Sequence, residues 1–456
     1  MNDKIFRSYD IRGIYPKDID EKVAENVGFA FGTYIGAGKR IALSNDSRLS
    51  ADKLRDAAVK GLLRSGVKVM YIGMASSPML YFTVAHYGFD GGLGVTASHN
   101  PPEWNGFKLC AKGGKVIGLE SGLLEIKRLM LQEQSKADPA PYAGLVGIED
   151  MAQKARKDYE SFVLGKVKVG RELRIGVDPG NGAWSGIAGE MLKDAGMAVS
   201  AINDLPDGNF PGRNPEPKPD SLTELRNLVT HNQLDFGVAF DADGDRAVFV
   251  DENGEVLDGD VALSLMIKGS LKKGEAVVYE VSCSDAVPEV IAEKGGKPVL
   301  SKVGHSFIKE NMVASKAVIG GEISGHMYFK EVYGMDDAFF ATMKMVEILS
   351  NGKDTLSKLV SELPRYERTY MEFDADDSVK AKIVEILKKR LAGKGYKIIT
   401  IDGAKVVTGD GWFILRVSNT TPKVKMRAEA RTKKRLDELV KEASSEFAEA
   451  AKGASQ

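Results

Sequence analysis

A strand, a loop and an amphipathic helix recur in that order three times along this chain, and this alternation constrains the fold more than any other feature. The first copy predicts a strand over Arg40–Leu43 and a helix over Ala51–Leu63. The second predicts a strand over Leu173–Val177 and a helix over Ala183–Ala195, and the third a strand over Ala276–Val281 with a helix behind it. Strands that alternate with helices favour α/β layers around a largely parallel sheet. We therefore predict three related α/β units.

The order of elements changes after Pro364. A strand over Tyr370–Phe373, a helix over Val379–Leu391, further strands and a terminal helix predict a compact α+β domain. A polar stretch with two prolines, Gln132–Tyr142, predicts a linker. The predicted domains are residues 1–148, 149–254, 255–364 and 365–456.

Three short patterns predict local structure in the first unit. Ser50 stands just before the first predicted helix, and we expect it to be the N-cap. The dipeptide Asn105-Gly106 is typical of a tight turn. Because Gly13 follows Arg12, we also predict a turn there that presents a guanidinium group.

Composition excludes several classes of protein. The chain has 456 residues, with 63 Lys and Arg against 64 Asp and Glu, so no net field favours nucleic acid or an anionic membrane. Its two cysteines cannot build a disulfide framework and fit a reducing cytoplasm. The N-terminus lacks the apolar segment of a signal peptide, and no run approaches the roughly 18 apolar residues of a membrane span. We expect a cytoplasmic protein without a membrane or nucleic-acid partner.

The segment Thr96–Pro101, here called the serine loop, places one hydroxyl beside an imidazole on a constrained turn. It follows Gly91–Val95, which has too many glycines for a packed strand interior and is therefore expected to be open to a ligand. The prolines that follow prevent a helix from starting at once. The alternative is an Asn-Pro turn that contains Ser98 and His99 by chance.

The segment Asp241–Arg246, here called the Asp loop, carries three carboxylates at alternate positions. Both flanks, Phe236–Phe240 and Ala247–Val250, are predicted strands. Carboxylates on a short loop suit a hard divalent cation, Mg²⁺ above all. An Asp-rich turn is the plain alternative. An EF-hand calcium loop is not supported, because its sixth position would be Arg246 instead of glycine and its flanks are not helices.

Three of the five histidines, His99, His305 and His326, lie in segments bordered by glycine or proline. Core histidines rarely fall in such places, so this distribution indicates a site. A further segment, Arg416–Pro422, combines a guanidinium, three hydroxyl-bearing side chains and turn N–H groups. That combination suits a phosphate, to which arginine donates two hydrogen bonds at once.

Five motifs together identify a family. They are Tyr9–Gly13, the serine loop, the Asp loop, Gly321–His326 and Arg416–Pro422. In this order the chain resembles the α-D-phosphohexomutases, and within them the phosphomannomutase/phosphoglucomutase group. The resemblance implies an α/β fold with three related α/β domains with mixed sheets and a C-terminal α+β domain around a central cleft. It implies a phosphoryl transfer between O1 and O6 of a hexose through a phosphoserine, with Mg²⁺ and a hexose 1,6-bisphosphate intermediate, and it allows a homo-oligomer.

The resemblance also implies which residues act. It assigns catalytic roles to Ser98, Arg12, Lys108, Arg246 and His305. It assigns the metal to Ser98, Asp241, Asp243 and Asp245. It assigns the sugar phosphate to Tyr9, Gly304, His305, Glu322, Ser324, His326, Arg416, Ser418, Asn419, Thr420 and Arg427. His305 and Lys108 are both candidates for the general acid/base, and the sequence does not choose between them.

Two positions bear on the sugar. Ile323 stands between Glu322 and Ser324, where phosphoglucosamine mutases usually have Gln, so this loop is more similar to the glucose/mannose type. The lysine that dual-specificity relatives carry near Ser282 is absent here. A phosphoglucosamine mutase, a metal-dependent phosphoserine phosphatase and a non-catalytic calcium-binding protein are the alternatives.

Overall fold

The computed structural model describes residues 3–134, 148–418 and 422–454. The chain divides into two compact units, Met1–Ala262 with Ser324–Ser361 and Leu263–Ile323 with Glu362–Gln456. No helix among the described residues is long and apolar enough to cross a bilayer. The predicted linker Gln132–Tyr142 lies outside the described residues from position 135 onward.

Strands and helices alternate through most of the chain. The strands are β1 Ile11–Ile14, β2 Arg40–Asn45, β3 Lys68–Met74, β4 Gly91–Val95, β5 Trp104–Ala111, β6 Lys115–Val116, β7 Ile148–Asp150, β8 Arg174–Asp178, β9 Ala198–Ala201, β10 Phe236–Phe240, β11 Ala247–Asp251, β12 Ala276–Glu280, β13 Lys297–Ser301, β14 Ile319–Gly321, β15 Met327–Phe329, β16 Met335–Asp336, β17 Glu367–Asp374, β18 Lys397–Ile399, β19 Ala404–Val407, β20 Gly411–Val417 and β21 Lys423–Ala430. The α-helices are α1 Glu21–Ile35, α2 Ala51–Arg64, α3 Ser77–His86, α4 Leu124–Gln134, α5 Ala152–Leu164, α6 Ala188–Asp194, α7 Thr223–His231, α8 Gly259–Ser270, α9 Ala286–Glu293, α10 His305–Ser315, α11 Ala338–Asn351, α12 Leu356–Ser361, α13 Lys380–Gly393 and α14 Lys433–Ala454.

The first unit contains a seven-stranded mixed sheet in the order β1-β5-β4-β2-β3-β7, with β6 on β5. Strands β4, β2, β3 and β7 run parallel to one another, while β1, β5 and β6 are antiparallel additions at one side. The first predicted strand–loop–helix is confirmed in β2 and α2. Helices α1 and α2 pack together over this sheet and contribute Phe31, Leu54 and Leu62 to its core.

The glycine-rich run Gly91–Val95 is strand β4, buried at every position between β2 and β5, so the prediction of an open segment was wrong. The physical reason is close packing. A Cβ on Gly92 would lie 2.8 Å from Val84 Cγ2, on helix α3, and 2.8 Å from Cys110 Sγ. Glycine is used here because it lets neighbouring elements touch the strand backbone, and not because the backbone must be flexible.

Two predicted turns are also strand. Arg12 and Gly13 belong to β1, where they pair with Gly106 and Asn105 of β5. A Cβ on Gly106 would lie 2.0 Å from the carbonyl oxygen of Ile11, so this glycine permits a close approach of the two strands. The Asn-Gly and Arg-Gly dipeptides thus mark strand contacts instead of chain reversals.

Ser50 precedes α2 as predicted, but its hydroxyl makes no capping hydrogen bond. It accepts instead from Asn105 Nδ2 at 2.8 Å. The predicted N-cap is therefore right in position and wrong in function, since the hydroxyl ties the start of the helix to β5.

A second sheet of the first unit has the order β11-β10-β8-β9, with β8, β9 and β10 parallel and β11 antiparallel. Both predicted flanks of the Asp loop are confirmed as the paired strands β10 and β11. The helix predicted over Ala183–Ala195 is shorter, because residues up to Ile187 form turns against the Asp loop, where Ala183 N donates to Ala242 O at 2.8 Å.

The second unit contains the parallel strands β13, β12 and β14 and a five-stranded antiparallel sheet in the order β17-β21-β20-β19-β18. Helices α13 and α14 cover one face of the antiparallel sheet, which confirms the predicted α+β arrangement. On its other face Trp412 packs with Val281, the residue after β12, and buried Lys405 donates to the Val281 carbonyl at 3.0 Å.

Candidate active site

Ser98 lies in the first unit, in the loop between β4 and β5, and is 2% exposed. Its backbone φ is 51°, a left-handed conformation that side-chain-bearing residues adopt rarely and at some cost. Ser98 N donates to Thr96 Oγ1 at 2.9 Å, and Ser98 Oγ lies 3.1 Å from His99 Nδ1. The turn therefore holds one hydroxyl in a fixed orientation, as the sequence predicted.

Arg48 binds the backbone of the serine loop through hydrogen bonds. Its guanidinium donates to the carbonyl oxygens of Ser98, Asn100, Pro101 and Trp104 at distances of 2.6 to 2.8 Å. Its Nε donates to Asp46, the residue after β2, at 3.2 Å. Every N–H of this buried side chain is used, and this arginine was not among the predicted site residues.

The Asp loop lies between β10 and β11 with its three carboxylates buried. Ligand oxygens of Asp241, Asp243 and Asp245 all lie within 4.8 Å of one another. Asp241 Oδ2 and Asp243 Oδ1 are buried and make no hydrogen bond to a described residue. Unpartnered buried carboxylate oxygens are costly, so this donor set fits a hard divalent cation such as Mg²⁺.

Electrostatics agree with that arrangement. Burial and the neighbouring carboxylates of Asp245 and Asp243 raise the pKa of Asp241 well above its usual value. Burial acts on Asp245 in the same direction, but the neighbouring side chains of Lys108 and His326 hold the pKa of Asp245 well below its usual value. The pKa values of these two carboxyls therefore shift in opposite directions, although Arg246 and Lys108 also favour the charged form of Asp241.

Lys108 joins the serine-bearing sheet to the Asp loop. It lies on β5 opposite Gly94 of β4, and its Nζ lies 2.6 Å from Asp243 Oδ2 and 2.5 Å from Asp245 Oδ2. Although burial opposes its charge, the two carboxylates keep the pKa of Lys108 well above its usual value. Ser77, at the start of α3, also donates to Asp243 Oδ2 at 2.5 Å.

Two further predicted cations lie in the first unit. Arg12, on β1, donates to Asn100 Oδ1 in the serine loop at 2.7 Å and pairs with Asp10 at 2.5 Å. Arg246 Nη1 lies 3.2 Å from Glu216 Oε1, and its Nε lies 3.8 Å from Asp241 Oδ2. Each guanidinium is therefore attached to one of the two loops that sequence reasoning singled out.

Two imidazoles of this unit lie beside the two loops. Burial, with the nearby Arg246 and Arg12, holds the pKa of His99 well below its usual value, so His99 is neutral beside Ser98 Oγ. His326 Nε2 lies 3.1 Å from Asp245 Oδ1, and its Nδ1 lies 3.0 Å from Ser324 Oγ. His326 thereby connects the Asp loop to Ser324.

The other predicted residues of the third α/β segment lie in the second unit. Gly304 has φ 125° and precedes α10, whose first residue is the buried His305. Glu322 Oε2 accepts from Gly304 N at 3.1 Å. Burial and the carboxylate of Glu322 raise the pKa of Glu280, at the end of β12, to about 7, and Glu280 Oε1 accepts from Ile323 N at 3.4 Å.

Arg416 lies on β20 and Arg427 on the neighbouring β21, where Arg427 Nη1 donates to Ser282 O at 3.4 Å. Ser418 is buried and its carbonyl accepts from Lys380 Nζ at 2.7 Å. Asn419 and Thr420 lie outside the described residues. Tyr9 is half-buried in the bend before β1, in the first unit.

Sequence reasoning missed Arg48, Arg213, Ser77 and Glu280. Arg48 had a usable signal, since Asp46-Ser47-Arg48 lies between the predicted strand Arg40–Leu43 and the predicted helix Ala51–Leu63. Arg213 had none, because it donates to Asp178 and to the carbonyl of Phe240 from a long proline-rich loop.

Comparisons with known proteins cover nearly the whole chain. Four models match in order: phosphoglucomutase/phosphomannomutase alpha/beta/alpha domain I at residues 3–137, domain II at 156–254, domain III at 258–366 and the C-terminal domain at 368–445. Three alpha/beta/alpha models followed by a C-terminal model agree with the predicted fold class of three α/β domains and a C-terminal domain.

Individual relatives are similar over their full length. The chain is 33% identical over 464 residues to a phosphoglucomutase/phosphomannomutase of Thermococcus kodakarensis, covering 99% of this chain and 100% of that protein. It is 34% identical to a probable phosphoglucosamine mutase of Methanopyrus kandleri, covering 96% of each. A crystal structure of a phosphoglucomutase/phosphomannomutase family protein from Burkholderia thailandensis is similar with a TM-score of 0.87 at 31% identity, covering 99% of this chain and 97% of that one.

Proposed function

The chain belongs to the phosphoglucomutase/phosphomannomutase family, and from that premise we propose that it interconverts hexose 1-phosphate and hexose 6-phosphate, with mannose or glucose as the sugar. It is an enzyme of the mutase class, an intramolecular phosphotransferase. The observation that carries the proposal is a buried serine on a strained turn in the same compact unit as a buried three-carboxylate cluster.

Ser98 is the phosphoryl carrier. In the first transfer the bond from phosphorus to Ser98 Oγ breaks and a bond to the free sugar hydroxyl forms. The hydroxyl proton goes to a general base, and Ser98 Oγ takes up a proton as it leaves. The product is a hexose 1,6-bisphosphate, which also acts as activator. After the sugar reverses its orientation, its other phosphate returns to Ser98 and the isomerised monophosphate is released.

Asp241, Asp243 and Asp245 would hold Mg²⁺ together with an oxygen of the Ser98 phosphate. When bound, Mg²⁺ neutralises the charge of the transferring phosphoryl group. Arg12 and Lys108 add positive charge around the same two loops. Arg246 does so as well, and it keeps the Asp loop in contact with Glu216.

The general acid/base is His305 or Lys108. Lys108 Nζ already donates to two carboxylates, and such a lysine serves better as a fixed charge than as a proton acceptor. This geometry favours His305.

Substrate recognition falls to residues that treat both ends of the sugar alike. When the sugar reverses its orientation, C1 and C6 exchange places, and so do O3 and O4. Glu322 and Ser324 can therefore bind those two oxygens in either orientation. Tyr9, Gly304 and His326 complete the sugar contacts. Arg416, Ser418, Asn419, Thr420 and Arg427 bind the phosphate that is not reacting. The proposed boundaries of the four domains are residues 148, 254 and 364.

The test is the covalent state of Ser98. Intact mass of active protein should show one phosphate adduct, which disappears in Ser98→Ala, and peptide mapping should place it on Ser98. Ser65→Ala is the control and should keep both the adduct and the activity, because this half-buried hydroxyl at the C-terminal end of α2 donates, among the described residues, only to Leu62 O, at 2.6 Å. Full activity in Ser98→Ala would reject the mechanism.

Glucosamine phosphate is the second candidate substrate, since some relatives carry that name. Rates on glucose, mannose and glucosamine phosphates measured side by side decide between them. Release of free phosphate from hexose 1-phosphate as the main reaction would instead indicate a phosphatase.

A further inference from the structure

Two buried arginines outside the predicted site each serve one functional loop. Arg48 donates to four carbonyl oxygens within and beside the serine loop. Arg213 Nη2 donates at 2.6 Å to the carbonyl of Phe240, the residue directly before Asp241. Their side chains are 0% and 2% exposed, so both charges are removed from water. Such burial is costly unless the charge is paired and hydrogen-bonded.

Each arginine is paired with an acidic residue at a corresponding place in its sheet. Arg48 pairs with Asp46, just after β2, and β2 is parallel to β4, which leads into the serine loop. Arg213 pairs at 2.7 Å with Asp178, the last residue of β8, and β8 is parallel to β10, which leads into the Asp loop. The carboxylate therefore stands at the end of one strand, and the guanidinium crosses to the end of its neighbour.

The two arginines reach this position from different places in the chain. Arg48 follows its aspartate by two residues, whereas Arg213 follows Asp178 by thirty-five. Gly180, with φ 57°, leaves room for the second guanidinium, because a Cβ there would lie 2.7 Å from Arg213 Cζ. The ring of Phe210 covers the first, 5.2 Å from Arg48 Cζ. The same contact is thus built twice from unrelated local sequence.

We propose that Arg48 and Arg213 are positioning residues, each of which ties a functional loop to the acidic residue at the end of the adjacent parallel strand. Arg48 fixes the backbone that gives Ser98 its left-handed conformation. Arg213 fixes the point from which the three carboxylates of the Asp loop diverge. A planar guanidinium can satisfy several carbonyls in fixed directions, whereas an ammonium group cannot reproduce that geometry.

Conservative variants separate this role from general stability. In Arg48→Lys, kcat should fall by about 100-fold, because a displacement of about 1 Å at a reacting group costs that much. KM should change by less than about threefold. The affinity of the dephosphorylated protein for Mg²⁺, measured by calorimetry, should be unchanged. In Arg213→Lys the Mg²⁺ affinity should fall about 10- to 100-fold, the usual effect of removing a support of metal ligands. Arg64→Lys is the matched control, since Arg64 is equally buried in α2 and pairs with Glu25 at 2.5 Å.

Amide hydrogen exchange provides the decisive measurement. Exchange should accelerate at Ser98, Asn100 and Trp104 in Arg48→Lys, and at Asp245 and Arg246 in Arg213→Lys. The kcat prediction rests on the proposed function, because that function gives the two loops their chemical roles. Hydrogen exchange and Mg²⁺ affinity measure the conformation of the loops directly. The positioning proposal can therefore fail while the proposed function holds, and the reverse. Uniform acceleration throughout the first unit in either variant, or equal losses in Arg64→Lys, would overturn the assignment.

Discussion

Replacing Gly106 by alanine should disable the enzyme without touching any polar group of the site. The added Cβ would lie 2.0 Å from the carbonyl oxygen of Ile11 and 3.0 Å from the Cα of Arg12. A carbon and a carbonyl oxygen approach to about 3.3 Å at closest in sheets. Strands β1 and β5 must therefore separate locally by about 1 Å.

That separation acts on Arg12, which is directly opposite Gly106 and donates to Asn100 of the serine loop at 2.7 Å. A shift of about 1 Å at a positioned catalytic group costs roughly 100-fold in rate, and overpacking costs about 1–3 kcal/mol of stability. We expect kcat in Gly106→Ala to fall by about 100-fold, to near the level of Arg12→Ala, with most of the protein still folded at 25 °C.

The matched control is Gly28→Ala. Its Cβ would lie 2.1 Å from the carbonyl oxygen of Ala58, so the clash is of the same kind and size, but it falls between α1 and α2. Steady-state rates on hexose 1-phosphate and melting temperatures should be measured for both. If Gly106→Ala loses no more kcat than Gly28→Ala at similar stability, the inferred displacement of Arg12 is wrong.

Three further outcomes are expected. Asp243→Asn should weaken Mg²⁺ dependence and reduce turnover by about 100-fold or more, because a lost carboxylate leaves the cation poorly held; chelator-resistant activity of the native enzyme would contradict this. Glu322→Gln should impair glucose and mannose phosphates alike, since O3 and O4 are common to both, and a loss confined to one sugar would show that Glu322 contacts C2. Glu280 has its pKa raised to about 7 from 4.5, so the native protein should lose stability as pH rises through that window. The free energy of unfolding should be measured in urea at pH 5 and pH 8 for the native protein and for Glu280→Gln. At about 1.4 kcal/mol per pH unit, the variant should lose about 3 kcal/mol less between the two pH values. Equal losses would refute the raised pKa of Glu280.

The alternation of strands and helices, and the two loops that carry the site, were predictable from sequence because both depend on local pattern. Hydrophobic periodicity correctly predicted β2, α2, β10 and β11. Ser98 and the three aspartates stood out since their spacing and flanking residues indicate constrained loops. The domain boundaries and the roles of individual site residues stay predictions.

The glycines were misread because their reason lies in tertiary packing. Gly92 is required by the side chains of Val84 and Cys110, and Gly106 by the backbone of β1. These contact partners are not among the residues that flank the glycines in sequence. The residues around each glycine therefore suggest a flexible backbone, whereas the fold requires close packing at that position. Arg213 was not predicted for a similar reason: its partners, Asp178 and the carbonyl of Phe240, are both distant from it in sequence.

The two ends of the seven-stranded sheet bear on behaviour at high concentration. At one end lies β1, four residues long, and at the other lies β7, three residues long. Short edge strands with charged side chains resist pairing with a second copy of the chain. β1 carries Arg12, and β7 carries Glu149 and Asp150. All three residues of β7 are exposed. Apolar residues in place of Glu149 and Asp150 would therefore leave an uncharged sheet edge and make the protein prone to aggregate.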